Sequence, residues 1–454
     1  MNLDYFFKPR AVAVIGASHN PGKIGYEILN NFVNGGYKGK VYPINPKTEP
    51  IFNLKVYPSI KKVKDRVDLA VIAVKADIVA KVLKECVDKK VKAVIIISSG
   101  FSESGEEGKK LEEKLKRIIK NKNIRVIGPN VIGVYDSHTK VDTLFLSLEK
   151  LKRPKEGGIS FISQSGAVGS TILDILAEEG IGISKFVSYG NALDVNEVDL
   201  IKYLAKDHST RIIAVYLEGI KSSGKEFLRT VKEVSKIKPI VFLKAGKSLR
   251  GIKAAASHTG SLAGSARIFS SALRQARALE ASDWEEFFDA CKILEMQPIP
   301  KGKDVIIITN GGGFGVLATD EAEKLGLELK DIPNDLKEKF KDLFPNYVSF
   351  NNPLDLTGDS TKERYKIALE NCLKVYSGAI VIALFQVPTL DESLVEVIIS
   401  MKKFKKPIVC CAAGGEYTKK LSKKLEDEGI PVFSSPERAM RAYNFLVKRM
   451  EFLR

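Results

Sequence analysis

The chain has few cysteines, and their spacing argues against several common kinds of site. There are five in 454 residues, and no two of them form a CxxC pair. Structural zinc sites and disulfide frameworks both use closely spaced or paired cysteines. Cys410 and Cys411 end an apolar run and are expected to face opposite sides of one strand. We therefore expect neither a disulfide framework nor a metal site.

Long apolar runs are also lacking. No segment approaches the about 20 uninterrupted apolar residues that a membrane-spanning helix needs. The first ten residues, MNLDYFFKPR, do not have the basic-then-apolar order of a secretory signal. The sequence therefore predicts a cytoplasmic protein that does not bind a membrane.

The chain has fewer acidic than basic residues, and its formal net charge is +17. The lysines and arginines are spread over helices and short turns, with no long basic arm and no nucleic-acid-binding module. A nucleic-acid partner is therefore not expected. A positive field of this kind concentrates small anions such as phosphates and carboxylates.

The length predicts about three domains. Short apolar strands alternate with helical patterns throughout, which is typical of doubly wound α/β domains with parallel sheets. We place the domains at residues 1–137, 138–298 and 299–454. The weakly patterned stretch 138–156, with Pro154 near its end, is interpreted as a linker.

The first domain begins with a strand, a glycine-rich turn and a helix, an arrangement that directs backbone N–H groups at a phosphate. The turn is not GxGxxG, because its glycines are Gly16, Gly22 and Gly25. The second strand ends in Lys47 with no carboxylate for ribose hydroxyls, which suits a ribose that carries a phosphate. Coenzyme A with its 3′-phosphate and NADP with its 2′-phosphate both remain open. The candidate ligand residues of this turn region are Gly16, Ala17, Ser18, Gly22, Lys23, Gly25 and Lys47.

Other strand ends of the first domain supply further candidates. Ligands of open α/β sheets lie at the carboxyl ends of the strands. The candidates at those ends are Val74, Lys75, Ser99, Gly100 and Asn130.

The second domain repeats the anion-binding pattern and adds ionisable side chains. Ser163-Gln-Ser-Gly166 lies between a strand and a helix, so Ser163, Ser165 and Gly166 are candidate phosphate ligands. Glu218 ends a later strand, and His258 lies in a run of small residues that includes Gly260, a further candidate phosphate ligand. We expect Glu218 to accept a hydrogen bond from one ring nitrogen of His258, leaving the other nitrogen free to attack phosphorus.

The third domain has a turn of three glycines, Asn310-Gly-Gly-Gly-Phe-Gly315, before a helix. Gly312 and Gly313 are candidate phosphate ligands, although a tight turn packed against another subunit explains them equally well. The polar loop 352–359 is a candidate interface or site edge.

The ordered set of motifs resembles the nucleoside-diphosphate-forming acyl-CoA synthetases, specifically the alpha subunits of the archaeal ADP-forming acetyl-CoA synthetases, relatives of succinyl-CoA synthetase. The resemblance covers essentially the whole chain. It rests on Val14–Ser18 with Pro21–Gly25, Tyr42–Lys47, Ser163–Gly169, Glu218-Gly219, Ser257–Gly264 and Asn310–Gly315.

The resemblance implies a Rossmann-like domain that binds coenzyme A, followed by two flavodoxin-like domains. It also implies that His258 is phosphorylated, that Glu218 supports it, and that the turn at Ser165 and Gly166 holds the phosphoryl group. The implied reaction is acyl-CoA + ADP + phosphate ⇌ acid + ATP + CoA, through an acyl phosphate.

The family's nucleotide-binding ATP-grasp domains are not seen in this sequence. The resemblance therefore implies a separate beta subunit, in an alpha2-beta2 assembly, that binds most of Mg-ADP or Mg-ATP. Two alternatives remain: a non-catalytic acyl-CoA-binding regulatory protein and an NADP-linked oxidoreductase.

Overall fold

The computed structural model describes residues 3–47, 49–248, 250–253 and 265–454. Two compact units make up the chain, Met1–Glu280 and Ala281–Arg454.

The first sheet is fully parallel and has five strands in the order β2-β1-β3-β4-β5. β1, β3 and β4 are buried along their whole length, because helices cover both faces of the sheet. The strands are β1 Ala11–Ile15, β2 Lys40–Ile44, β3 Leu69–Ile72, β4 Ala93–Ile96 and β5 Arg125–Ile127, and the helices are α1 Asp4–Phe7, α2 Ile24–Asn34, α3 Ala76–Asp88 and α4 Glu106–Ile119, with 3-10 turns at Ile60–Lys62 and Ser102–Ser104.

The second sheet has seven strands in the order β12-β11-β10-β8-β9-β6-β7. Its centre is parallel, and β6 and β7 form an antiparallel edge. The strands are β6 Val134–Asp136, β7 Val141–Asp142, β8 Glu156–Ser163, β9 Ile183–Ser188, β10 Ile212–Leu217, β11 Ile240–Lys244 and β12 Leu279–Ala281, and the helices include α5 Gly166–Glu178, α6 Glu197–Lys206, α7 Gly224–Ser235 and α8 Ala266–Gln275.

The interpretation of 138–156 as a linker is wrong in part. β7 lies inside this stretch and pairs with β6. The buried Arg153 side chain donates from Nε to Asp142 Oδ2 at 2.7 Å and from Nη2 to the Leu146 carbonyl at 2.9 Å. A two-residue strand has too little apolar alternation to be recognised in the sequence.

The second unit contains a six-stranded sheet in the order β14-β15-β13-β16-β17-β18, parallel except for β14. Its strands are β13 Ile306–Thr309, β14 Ser349–Phe350, β15 Leu354–Asp355, β16 Ala379–Ile382, β17 Ile408–Cys411 and β18 Val432–Phe433, and its helices are α9 Trp284–Met296, α10 Gly312–Leu325, α11 Asn334–Leu343, α12 Lys362–Val375, α13 Glu392–Ser400, α14 Glu416–Asp427 and α15 Pro436–Leu453, with a 3-10 turn at Met401–Phe404.

The predicted class, parallel-sheet α/β domains in series, is confirmed. Helix α9 packs with α15 in the second unit, where Arg438 Nη2 donates to Asp289 Oδ1 at 2.7 Å. The domain boundaries at 137 and 298 stay predictions.

The described part of the chain also bears on the expectations for cysteines, membrane-spanning helices and metal sites. The five cysteines are buried free thiols, and burial raises the thiol pKa of each, Cys86 among them. Among the described residues, no helix combines the length and apolar character of a membrane span. No group of three or more His, Cys, Asp or Glu side chains in the described ranges is placed to hold a metal ion.

The first two sheets share one hydrophobic core. Side chains from β1 and β5 and side chains from β8 and β9 belong to the same buried cluster. The buried Lys185 of β9 lies beside the antiparallel edge of the second sheet, where its Nζ is 3.3 Å from Asp136 Oδ2 and 2.8 Å from Asp207 Oδ2. Because the two sheets share this core, the carboxyl ends of strands from both sheets lie in one region of the first unit.

Candidate functional site

A cavity of about 680 Å³ lies in the first unit, where the carboxyl ends of the two sheets meet. One wall comes from the ends of β3, β4 and β5, and the other from the start of α5 and from Lys221. A volume of this size suits a small-molecule ligand. The lining residues are Ile24, Ala73, Val74, Lys75, Ala76, Ile97, Ser98, Ser99, Asn130, Val131, Ile132, Phe145, Gln164, Ser165, Gly166, Ala167, Gly190, Asn191 and Lys221.

The glycine-rich turn after β1 is built by close backbone contact. Gly16 has a φ of +95°, and its N–H donates to the Ile44 carbonyl at 3.0 Å. A Cβ on Gly25 would lie 1.9 Å from the Gly16 carbonyl oxygen. Lys23 precedes α2, and no side chain caps this helix. The turn therefore holds the first N–H groups of α2 close to the edge of the sheet, where they can face an anion.

Four of the predicted coenzyme A residues line the cavity: Val74, Lys75, Ser99 and Asn130. Asn130 has a φ of +62°, and its N–H donates to the Ser98 carbonyl at 2.9 Å. Lys75 is exposed and directly precedes α3, which has no side-chain cap. An ammonium group and an open helix start on one wall suit a phosphate-bearing ligand.

The other predicted coenzyme A residues are not in the cavity lining. Gly100 also has its N–H satisfied, since that group donates to Glu103 Oε1 at 2.6 Å. Lys47 is exposed, and its N–H donates to Asn45 Oδ1 at 2.8 Å. The residues outside the lining are Gly16, Ala17, Ser18, Gly22, Lys23, Gly25, Lys47 and Gly100.

The turn after β8 forms the second wall. Ser165 and Gly166 line the cavity, and Ser165 caps α5 by accepting from the Val168 N–H at 3.4 Å. Ser163 is fully buried, and its hydroxyl donates to the Ser165 carbonyl at 2.6 Å. Ser163 thus supports the turn from behind, while Ser165 and Gly166 face the cavity.

Glu218 is placed at the end of β10 by contacts to its main chain and its side chain. The residue is 6% exposed, and its N–H donates to Gln164 Oε1 at 2.8 Å. Its carbonyl accepts from Lys244 Nζ at 2.8 Å, and its carboxylate accepts a hydrogen bond from Tyr216. Glu218 is therefore a buried carboxylate held in a fixed position.

The charge of Glu218 affects its neighbours. Burial, together with the Glu218 charge and hydrogen bond, raises the pKa of Tyr216 to about 12. Burial lowers the pKa of Lys244, against the opposing effect of Glu218. Burial likewise lowers the pKa of Lys221, against the effects of Glu112, Glu197 and Glu218. The region around Glu218 is thus a low-dielectric site that contains both acidic and basic groups.

His258 and Gly260 lie outside the described residues, so the expected contact between Glu218 and His258 stays a prediction. The other three histidines contribute nothing to the cavity lining. His19 is exposed in the first turn, and His208 is exposed after α6.

Gly312 and Gly313 begin α10 in the second unit. A Cβ on Gly312 would lie 2.7 Å from Asp355 Oδ2, so a carboxylate of the same unit already lies against this helix start. The phosphate-binding role of Gly312 and Gly313 stays a prediction.

Among the polar residues of the cavity that were not candidates are Gln164, Asn191 and Lys221. Asn191 Nδ2 donates to Glu103 Oε2 at 2.6 Å and to Glu112 Oε2 at 3.0 Å, which ties the loop after β9 to the 3-10 turn and α4 of the first sheet. Lys221 could have been identified in the sequence only because it lies close to Glu218-Gly219.

Three family models match successive parts of the chain. Residues 10–137 match a family described as CoA binding domain. Residues 156–294 match the succinyl-CoA ligase-like flavodoxin domain, and residues 305–442 match the Ligase-CoA domain. These three descriptions together cover most of the chain.

Full-length relatives carry consistent names. The chain is 44% identical to the Acetate–CoA ligase (ADP-forming) I subunit alpha of Pyrococcus furiosus, over 99% of this chain and 98% of that one. It is 42% identical to the Acetate–CoA ligase (ADP-forming) of Methanocaldococcus jannaschii, over 98% of this chain but only 63% of that protein.

A solved structure supports the same family assignment. The dinucleotide-forming acetyl-coenzyme A synthetase 1 of Candidatus Korarchaeum cryptofilum, in complex with phosphate and ADP, superposes with a TM-score of 0.93 at 37% identity, covering 100% of this chain and 98% of that one. The resemblance found in the sequence is therefore confirmed. The chain belongs to the ADP-forming acyl-CoA synthetase family and matches the alpha subunit of its acetate–CoA ligases along its whole length.

Proposed function

We propose that this protein is the alpha subunit of an ADP-forming acyl-CoA synthetase, with acetyl-CoA as the expected substrate. The overall reaction is acyl-CoA + ADP + phosphate ⇌ acid + ATP + CoA. The observation that carries the proposal is the shared cavity: the CoA-binding domain and the turn before α5 line one space, beside the buried Glu218.

The proposed reaction has three steps. A phosphate oxygen attacks the thioester carbonyl carbon, the C–S bond breaks, and CoA leaves as an acyl phosphate forms. A ring nitrogen of His258 then attacks phosphorus, the bond from phosphorus to the acyl oxygen breaks, and the carboxylic acid leaves. ADP finally takes the phosphoryl group from His258 to give ATP.

The described residues supply position and charge for these steps. Lys75 and Asn130 lie on the wall that would hold the coenzyme A portion. Ser165, Gly166 and Lys221 lie on the wall that would hold phosphate, where a helix start and an ammonium group stabilise negative charge. Glu218 would fix the tautomer and orientation of His258, since a carboxylate that accepts from one ring nitrogen leaves the other free.

The alpha-subunit names of the relatives support a partner beta subunit for this chain. In our proposal that subunit carries an ATP-grasp domain and binds most of Mg-ADP or Mg-ATP, in an alpha2-beta2 assembly. The relay by His258 would connect the acyl-CoA site of this chain with the nucleotide site of its partner. The protein is proposed to act in the cytoplasm.

The test is phosphoryl transfer to His258 in the assembled protein. With the beta subunit, acetyl-CoA and radiolabelled phosphate, the wild type should gain an acid-labile, base-stable label, and His258→Ala should gain none. His208→Ala is the matched control, because His208 is an exposed histidine after α6.

Two outcomes would contradict the proposal. One is an equal label on His258→Ala and on the wild type. The other is a wild type that binds acetyl-CoA but forms neither acid nor ATP, which would favour the non-catalytic acyl-CoA-binding alternative.

A further inference from the structure

Gln164 lies at the point where the cavity meets the strand end that carries Glu218. Its backbone N–H extends the pairing of β8 with β10 by donating to the Tyr216 carbonyl at 3.2 Å. Its side-chain Oε1 accepts from the N–H groups of Glu218 at 2.8 Å and Gly219 at 3.1 Å. Gln164 therefore fixes the main chain of Glu218.

These contacts also determine which way the Gln164 carboxamide is oriented. An oxygen must face the Glu218 and Gly219 N–H groups, because an amide NH₂ cannot accept from them. The Nε2 group is consequently directed away from that turn. It is buried and has no acceptor among the residues that the structure describes.

An amide NH₂ without an acceptor is costly in a side chain that is only 5% exposed. Gln164 lines the cavity, next to Ser165 and Gly166 at the start of α5 and on the same wall as Lys221. A helix start and an ammonium group favour an anionic acceptor over a neutral carbonyl oxygen.

We infer that Gln164 Nε2 donates a hydrogen bond to an oxygen of the bound phosphate, and of the phosphoryl group of the acyl phosphate that forms from it. This inference rests on the proposed function. One residue then holds phosphate by its nitrogen and Glu218 by its oxygen, which fixes the distance between the phosphoryl group and the carboxylate that supports the accepting histidine.

Two substitutions separate these contacts. Gln164→Glu keeps an oxygen for the Glu218 and Gly219 N–H groups and removes the Nε2 donor. Gln164→Met removes both. In the assembled enzyme, Gln164→Glu should raise KM for phosphate about tenfold or more, with KM for acetyl-CoA changed less than about twofold, since a hydrogen bond to a charged group is lost. Gln164→Met should lower kcat as well.

The pH dependence distinguishes a donor to phosphate from a purely structural amide. A protonated glutamic acid can donate from its hydroxyl, so the KM for phosphate of Gln164→Glu should fall toward the wild-type value as the pH is lowered. The titratable groups near this position are Glu218, Lys221 and, in contact with Glu218, Lys244 and Tyr216, and the proposed function adds His258. They are common to the wild type, so the ratio of the two KM values isolates residue 164.

Gln297 provides the matched control, since it is a buried glutamine with both ends bonded inside the second unit. Its Oε1 accepts from the Ile408 N–H at 2.8 Å, and its Nε2 donates to the Gly429 carbonyl at 2.7 Å. Gln297→Glu should lower the thermal unfolding temperature and leave KM for phosphate unchanged.

The inference is overturned if Gln164→Glu keeps the wild-type KM for phosphate, or if only its KM for acetyl-CoA rises. A second measurement does not depend on turnover. Inorganic phosphate should raise the unfolding temperature of the wild type, and this shift should be lost in Gln164→Glu. An equal shift in both proteins overturns the inference even if the wild type shows no synthetase activity, an outcome that would count against the proposed function separately.

Discussion

Replacing Gly25 with alanine should destabilise the first unit, although intrinsic helix propensity predicts the opposite. Gly25 is the second residue of α2, and alanine is favoured over glycine in a helix by about 1 kcal/mol. The new Cβ, however, would lie 1.9 Å from the Gly16 carbonyl oxygen and 2.7 Å from its carbon. The steric effect must therefore exceed the gain in propensity.

The size of the effect follows from the contact. Neither atom is at the end of a flexible side chain, so relief requires a backbone movement of about 1.5 Å in a closely packed turn. Overpacking of this kind costs about 3 kcal/mol, at the upper end of the usual range. After subtraction of the propensity gain, we expect a net loss of about 2 kcal/mol of unfolding free energy. Coenzyme A binding should weaken as well, because the Gly16 turn would shift.

The assay must report on the first unit alone. The single tryptophan, Trp284, lies in the second unit, so hydrogen exchange of β1 and α2 is a better measure than tryptophan fluorescence. Calorimetric titration with coenzyme A measures binding. The control is Gly224→Ala at the start of α7, where an added Cβ meets nothing within 4 Å and stability should be unchanged or slightly raised. Wild-type protection and wild-type affinity in Gly25→Ala would refute the reasoning.

Three further changes have expected outcomes. Gly169→Ala should destabilise the unit by about 1–3 kcal/mol in chemical denaturation, because its Cβ would lie 2.4 Å from the Phe186 ring. Burial opposes ionisation of Asp207, but hydrogen bonds from Lys185 and two hydroxyls lower its pKa to about 2. The lowered pKa stabilises the fold above about pH 4, so Asp207→Asn should remove about 2 kcal/mol of unfolding free energy at pH 7. The variant should also lose less stability than the wild type as the pH falls from about 4 to 2. Asn191→Ala should raise KM for acetyl-CoA several-fold in steady-state assays, because a residue of the cavity lining loses its bonds to Glu103 and Glu112, and an unchanged KM would contradict that role.

The sequence predicted the interior strands well, since they are short apolar runs buried on both faces. The short apolar runs that the sequence predicted as strands include the interior strands β1 and β9. The edge strands β7, β14 and β18 were not predicted, because two residues carry no recognisable period. Their pairing partners are set by tertiary packing, and local residue types do not encode that packing.

Some of the predicted site residues line the cavity and others do not, and this difference has a physical cause. Serines and glycines at a strand-to-helix turn were taken as phosphate ligands because their backbone and hydroxyl groups suit anions. Alternate residues of a strand end face opposite sides, so Ser163 and Gln164 cannot share one role. In the structure Ser163 is buried behind the turn, whereas Gln164 lines the cavity.

The position of Glu218 relative to that cavity depends on the order of strands in the second sheet. β8 lies between β10 and β9, so the residue that follows β8 is adjacent to the end of β10 although 54 positions separate Gln164 from Glu218. Another strand order would leave the same motifs in the sequence and place the carboxylate elsewhere. The motif after β8 acts as a site only because a neighbouring strand ends beside it, and a glutamine at that position can contact both the neighbour and a ligand. A change that weakens the pairing of β8 with β10 should therefore affect phosphate binding and Glu218 together, whereas a change confined to the first sheet should affect coenzyme A binding alone.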